Sequence, residues 1–171
     1  EMREYSIYSG PRDDRLEILV RRVDGGMVSS RLAKLRPGDS LRVEGPFGYF
    51  TLDEEAQRGP LLWIATGTGV SPFRSFVRGY PELDYHVLLG VRERRELYKW
   101  RDFEPRRRAA CLSRESGGDF AGRVTDYLRK ASIDPRTTCY LCGNSAMIYE
   151  AYEILVELGI DTEWIRSEVY Y

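Results

Sequence analysis

Hydrophobic and polar positions follow two rhythms along the chain. Up to about Leu52 they alternate. In REYSIYS (3–9) and RLEILVRRV (15–23) every second residue is apolar, with Leu16, Ile18 and Val20 on one face, the signature of half-buried strands. Asp24, Gly25 and Gly26 break the run. SSRLAKL (29–35) predicts a short helix capped by Ser29 or Ser30, and RPGDSLRVEGPFGYFTL (36–52) a turn and a further strand. The polar DEEAQRGP (53–60) reads as a linker.

After Pro60 the rhythm changes. LLWIA, HVLLGV, AACLS and TCYLC are short unbroken apolar runs, which suit strands buried on both faces of a parallel sheet. Helical patterns lie between some of them: PFRSFVRGY, GRVTDYLRKA and NSAMIYEAYEILVEL. The last is clearest, with Met147, Ala151, Ile154, Leu155 and Leu158 on one stripe and Gly159 at its end. TEWIRSEVYY (162–171) closes the sequence as an extended segment. Strands and helices in alternation predict a doubly wound α/β half behind a β-rich half, with the division near residue 58.

Composition narrows the function class. The 171 residues are 42% hydrophobic and 31% charged, ordinary for a globular protein. With 26 basic and 27 acidic residues the net charge is -1. No global field for nucleic acid exists, and no apolar run reaches the length of a membrane span. The three cysteines are Cys111, Cys139 and Cys142. Their odd number and the lack of a signal-peptide pattern point to a reducing compartment, the cytoplasm. With a single histidine, His86, a zinc site lacks ligands. Cys139-x-x-Cys142 sits in a buried-strand pattern, where a thioredoxin-like pair is the weaker reading. His86 reads as a hydrogen-bonded strand residue.

The candidate chemistry starts at IATGTGVSPF (64–73): strand, glycine loop, helix start. Two glycines let the backbone approach a phosphate or a ring, and first-turn amides favour negative charge. Pro72 is compatible with a first helical turn. A plain βα turn has the same outline. The second strand is followed by Arg92, then Glu93. In NAD-type folds an acidic residue about 20 positions on binds the ribose hydroxyls. Arginine there suits a 2′-phosphate, which favours NADP. Arg114 and Arg123 follow the third strand and would join Arg92 in one anionic pocket.

Taken in order, these segments resemble the ferredoxin–NADP(+) reductase family of flavoenzymes. Arg3, Tyr5 and Ser6 match its Arg-x-Tyr-Ser flavin motif. Gly26, Met27, Val28 and Ser29 match its Gly-x-x-Ser pyrophosphate motif. GTGVSP, with Gly67, Thr68, Gly69 and Pro72, matches its nicotinamide loop. Ser113-Arg114-Glu115 matches its 2′-phosphate segment, Cys142-Gly143 its Cys-Gly motif, and EVYY its C-terminal carboxylate and flavin-stacking aromatic.

The resemblance implies FAD and NADP(H) as cofactors and ferredoxin or flavodoxin as electron partner. It implies an antiparallel flavin-binding β-barrel over 1–58 and an NADP(H)-binding domain with a doubly wound parallel sheet over 59–171. Arg3 and residues 26–29 would hold the FAD pyrophosphate. Tyr5 and either Tyr170 or Tyr171 would flank the isoalloxazine. Ser6, Cys142 and Glu168 would converge at the site of hydride transfer. Arg92, Ser113, Arg114 and Arg123 would hold the 2′-phosphate. Because the family places several tens of residues before Arg-x-Tyr-Ser, the barrel is expected to lack its opening strands: a partner chain or a further N-terminal segment would complete it, or the enzyme is a shortened form. Three alternatives stay open: the reductase component of an oxygenase system, a flavin-free NADP(H)-binding module, and a partly folded fragment without activity.

Overall fold

The computed structural model describes residues 2–170. Its centre is a sheet of six parallel strands: β1 (Leu61–Thr66), β2 (Tyr85–Val91), β3 (Arg108–Leu112), β4 (Phe120–Ala121), β5 (Thr138–Asn144) and β6 (Ile165–Tyr170). Four α-helices accompany it: α1 (Met27–Leu32), α2 (Ser71–Gly79), α3 (Val124–Leu128) and α4 (Ser145–Glu157). The strand order is β4-β3-β2-β1-β5-β6. The chain therefore winds outward from β1 to β4, then crosses back to place β5 on the other side of β1. That reversal is the switch point at which open α/β sheets bind ligands, beyond the carboxyl ends of their strands.

The unbroken apolar runs are explained by burial on both faces. Side chains alternate along a strand, so each run is split between two cores. Leu61, Trp63 and Ala65 of β1 join Val87 and Leu89 of β2 and Tyr140 and Cys142 of β5 on one face, under Phe73 and Val77 of α2. Leu62 and Ile64 join Leu88, Cys111, Cys139 and Leu141 on the other, under Leu128 of α3 and Ala151 and Leu155 of α4. Cys139 and Cys142 thus belong to opposite faces, which removes the thioredoxin-like reading. All three thiols are free and buried. His86 sits half-buried on β2, and its side chain makes no hydrogen bond among the described residues, unlike the bonded residue expected; burial lowers its pKa.

The β-rich half departs from expectation. Among residues 2–60 the sole β contact is an antiparallel bridge, Ile7–Ile18, flanked by a Tyr8 N–H to Glu17 carbonyl bond of 2.8 Å. Alternation specifies a face for a strand but supplies no partner, and a strand without a partner forms no ladder. Leu41, Val43, Phe47 and Tyr49 accordingly stand exposed. The expected helix over 29–35 begins earlier, at Met27, with Gly26 as its cap. Ser29 lies inside it, buried, and its hydroxyl accepts from the Val23 amide at 3.2 Å. Serine therefore closes the preceding turn instead of capping the helix.

The polar linker is also more ordered than its composition suggests. Asp53 accepts from the Ala56 amide at 2.7 Å and from Arg166 of β6 at 2.6 Å, and Ala56 is completely buried. The Tyr140 hydroxyl reaches back to the Thr51 carbonyl at 3.1 Å. These bonds fix the start of the parallel sheet to its far edge.

Candidate active site at the switch point of the sheet

The GTGVSP segment leaves β1 as a 3-10 turn, Gly67–Val70, and enters α2 with Pro72 in its first turn. Ser71 ties the turn by donating to the Thr68 carbonyl at 2.7 Å. Across the sheet the loop meets the end of β5. A Cβ built on Gly69 would lie 2.2 Å from the Cys142 carbonyl oxygen, and one on Gly143 would lie 2.3 Å from Thr66 Oγ1. The Asn144 amide donates to that same Thr66 oxygen at 3.2 Å. The two motifs therefore interlock backbone to backbone. Part of their glycine requirement is this contact, independent of any ligand.

Beside this junction lies a polar cluster in a largely apolar wall. Cys142 on β5 and Glu168 on β6 are register partners. Ser6 Oγ donates to Glu168 Oε2 at 2.8 Å, and Cys142 Sγ lies 3.8 Å from the same oxygen. Ser6, 162 residues away in sequence, is thus brought to the carboxylate. Burial, reinforced by the Glu168 charge, pushes the Cys142 thiol well above its usual pKa. The thiol stays neutral near pH 7. The Tyr170 ring packs against the core, and its hydroxyl is buried without a hydrogen bond. Ser6 and Cys142 come near that phenol but not with hydrogen-bond geometry; burial raises its pKa strongly. An unpaired buried hydroxyl beside a carboxylate fits a site that a polar ligand completes.

The remaining site residues fall into groups. Arg92 follows β2, Ser113 and Arg114 follow β3, and Arg123 precedes α3, all at the carboxyl edge of the sheet and all exposed. The side chains of the three arginines make no hydrogen bond or ion pair among the described residues, while Arg95 pairs with Glu93 at 2.8 Å. Ser113 Oγ donates to the Val91 carbonyl at 3.3 Å. Uncommitted guanidinium groups are available for an anion. Tyr5 is half-exposed, and its side chain makes no hydrogen bond or ring contact among the described residues. Arg3 is exposed and donates to the Met2 carbonyl at 3.0 Å. Gly26, Met27, Val28 and Ser29 form the start of α1, whose first-turn amides lack intrahelical acceptors. No hydrogen bond among the described residues links α1 to the Ser6–Glu168 cluster. Tyr171 lies outside the described residues, so Tyr170 alone of the two candidate aromatics is placed. Among those residues no group of His, Cys, Asp or Glu could hold a metal, and no helix is long and apolar enough to cross a membrane.

One residue escaped the sequence reading. Arg74 of α2 is 4% exposed. Its Nε donates to Asp102 at 2.7 Å, and its Nη1 donates to the Tyr8 carbonyl at 2.6 Å and to Glu17 at 2.9 Å. Its guanidinium also lies 4.3 Å from the centre of the Tyr8 ring. The signal was present: Val70, Phe73, Arg74 and Val77 fall on one helical stripe, so an arginine stands where burial is expected.

A parallel sheet in this order, with a glycine loop leaving its central strand at the switch point, is the architecture of nucleotide-binding α/β domains. Residues 1–52 match a model of the oxidoreductase FAD-binding domain, and residues 63–152 one of the oxidoreductase NAD-binding domain. Ferredoxin--NADP reductase B of Sorangium cellulosum is 33% identical over an alignment 191 positions long, gaps included, which covers 98% of this chain and 78% of that protein. The ferredoxin--NAD(P)(+) reductase component of the naphthalene 1,2-dioxygenase system of Pseudomonas putida is 30% identical, over 99% of this chain and 56% of that one. Among solved structures, the Amycolatopsis cytochrome P450 reductase GcoB superposes with a TM-score of 0.82 at 27% identity, covering 96% of this chain and 55% of its own. The FAD/NAD-binding domain of nitric oxide dioxygenase from Vibrio cholerae, at 22% identity, shares the fold with a TM-score of 0.88 over 99% of this chain and 77% of its own. The chain belongs to the ferredoxin–NADP(+) reductase family. It is an oxidoreductase whose cofactors are FAD and NAD(P).

Proposed function

We propose that the chain passes electrons between NADP(H) and a one-electron carrier, ferredoxin or flavodoxin, in the cytoplasm. The observation that carries this reading is the convergence of Ser6, Cys142 and Glu168 beside the GTGVSP loop. Residues 1–58 serve as the FAD-binding part, a partial antiparallel barrel, and residues 59–171 as the NADP(H)-binding part. Bound FAD supplies the conversion between hydride exchange at N5 and single-electron transfer. Arg3 and the segment Gly26 to Ser29, through the first-turn amides of α1, hold its pyrophosphate. Tyr5 and Tyr170 offer flat faces to its ring.

The chain's own groups then have distinct tasks. Ser6 donates its one hydroxyl proton to Glu168, which leaves the oxygen's lone pairs to accept from a ligand donor without a charged side chain entering the pocket. Glu168 orients that hydroxyl. Cys142 and Gly143 give a small, neutral, close surface; the raised thiol pKa argues against nucleophilic attack. Arg92, Ser113, Arg114 and Arg123 select the 2′-phosphate. Free thiols and the absence of any disulfide among the described residues support the reducing compartment.

The test is the visible absorption spectrum of the purified chain, alone and with FAD. A bound-flavin spectrum that bleaches with NADPH is expected. Absence of bound flavin with NADPH binding intact would replace this reading by a flavin-free nucleotide module. The similarity to dioxygenase reductase components supports one second reading, the reductase of an oxygenase system. Preferential reduction of an oxygenase's ferredoxin over other carriers would select it.

A further inference from the structure

We infer that Arg74 is a positioning residue that fixes Ser6 against the nucleotide loop; the catalytic consequence rests on the function proposed above. Three segments meet on this one guanidinium: Tyr8 through its carbonyl, Glu17, and Asp102. Arg74 lies one helical turn beyond the Gly67–Val70 loop, on the helix that loop opens. Tyr8 lies two residues from Ser6, a step of roughly 7 Å in extended chain. The loop and Ser6 are thus joined through one turn of helix, one side chain and one dipeptide.

Other contacts restrain the same strand. The Tyr8 amide donates to the Glu17 carbonyl, and its hydroxyl donates to the Tyr98 carbonyl at 3.0 Å. Further along, Gly10 runs so close to α2 that a Cβ there would lie 2.6 Å from Arg78 Cβ, and Arg78 pairs with Asp13. The Arg78 guanidinium is partly exposed, whereas that of Arg74 is buried beneath its partly exposed partners Glu17 and Asp102. Packing alone does not call for arginine at this position. A methionine would fill the stripe without the desolvation cost of a buried guanidinium, and buried ion pairs contribute little net stability. What arginine adds is direction: donors in a rigid plane hold a backbone carbonyl and two carboxylates at set places. The clamp ends at Tyr8, so its effect on the reaction is transmitted through Ser6 and Glu168.

The test compares Arg74→Met and Arg74→Lys with Arg78→Met in the full chain. In the flavin-free protein, amide exchange at residues 6–8 should rise at least about tenfold in Arg74→Met, with Arg78→Met much closer to wild type. In the FAD-loaded protein, stopped-flow hydride transfer from saturating NADPH should fall roughly tenfold to a hundredfold while NADPH affinity is little changed. Arg74→Lys, which keeps the charge and folds if Arg74→Met does not, should recover part of the rate. Unaltered exchange at 6–8 would overturn the inference whether or not flavin binds. Faster exchange with undiminished hydride transfer would also overturn it, leaving Arg74 a structural residue only. If the wild type takes up no flavin, the proposed function fails, and the exchange measurement alone decides whether Arg74 holds Ser6.

Discussion

Gly69 and Cys142 meet backbone to backbone: a Cβ on the glycine would lie 2.2 Å from the cysteine's carbonyl oxygen and 2.6 Å from its carbonyl carbon. No flexible side chain is available to yield, so a larger residue must push β1's loop away from β5. Gly69→Ala should therefore destabilise the fold by about 1–3 kcal/mol. It should also weaken nucleotide binding, because Cys142 and Gly143 move with the displaced backbone. Gly59, whose nearest neighbour to a Cβ is at 4.0 Å, is the control: Gly59→Ala should stay within about 0.5 kcal/mol. Urea unfolding and NADPH titration of the three proteins check both statements. Equal stability of Gly69→Ala and wild type would mean that the junction is not tight in solution.

Arg114 tests cofactor choice. Its side chain has no protein partner among the described residues, and neither have those of Arg92 and Arg123. Arg114→Glu should weaken NADPH by roughly 2 kcal/mol or more through loss of charge-assisted bonds and new repulsion. NADH, which lacks the 2′-phosphate, should be nearly unaffected. Titration of both nucleotides against both proteins measures the difference. Equal losses would remove Arg114 from the 2′-phosphate site.

What the sequence made legible follows from where the structure is decided locally. The unbroken runs LLWIA, HVLLGV and TCYLC are strands because each is buried on both faces, a property carried by the run itself. The motifs at strand ends could be read because the loop after β1 and the Cys-Gly pair of β5 each have a fixed backbone task. The expected barrel strands could not be read as pairs: Leu41, Val43 and Phe47 alternate correctly but find no partner strand. Arg74 was missed because its acceptors, Tyr8, Glu17 and Asp102, come from three remote segments. The linker's order was missed for the same reason, since Asp53 is fixed by Arg166, 113 residues away.

The buried thiols set the alkaline limit of stability. Burial pushes Cys111 and Cys139 up to about 12, and Cys142 higher. A thiol with a folded pKa above its unfolded value, about 8.5–9, stabilises the fold fully below that value. The contribution is lost as pH rises toward the folded pKa. Above pH ~9 stability should fall by about 1–1.5 kcal/mol per pH unit for each thiol, with Tyr8, Tyr140 and Tyr170 adding to the decline above pH ~10. Urea midpoints from pH 8 to 10.5 give the slope, and Cys111→Ala should make it shallower. At pH 8 all three thiols should resist a thiol reagent until the chain is unfolded. Labelling of the native protein at the rate of a free cysteine would contradict their burial.

Ser6 and Glu168 share one hydrogen bond, and that bond can be tested as a unit. A hydrogen bond to a carboxylate contributes about 1.5–3 kcal/mol, which corresponds to roughly tenfold to a hundredfold in rate if it acts in the transition state. Ser6→Ala and Glu168→Gln should each slow hydride transfer by that factor while flavin stays bound. Ser6→Ala removes the donor. Glu168→Gln keeps the shape but loses the charge that orients the hydroxyl. If the pair works through its shared bond, the double variant should be no slower than the worse single one, because the second change removes an interaction already lost. Single-turnover rates of the four proteins complete the cycle. Effects that multiply would show two independent contributions, and the 2.8 Å contact would then be an incidental neighbour of the chemistry.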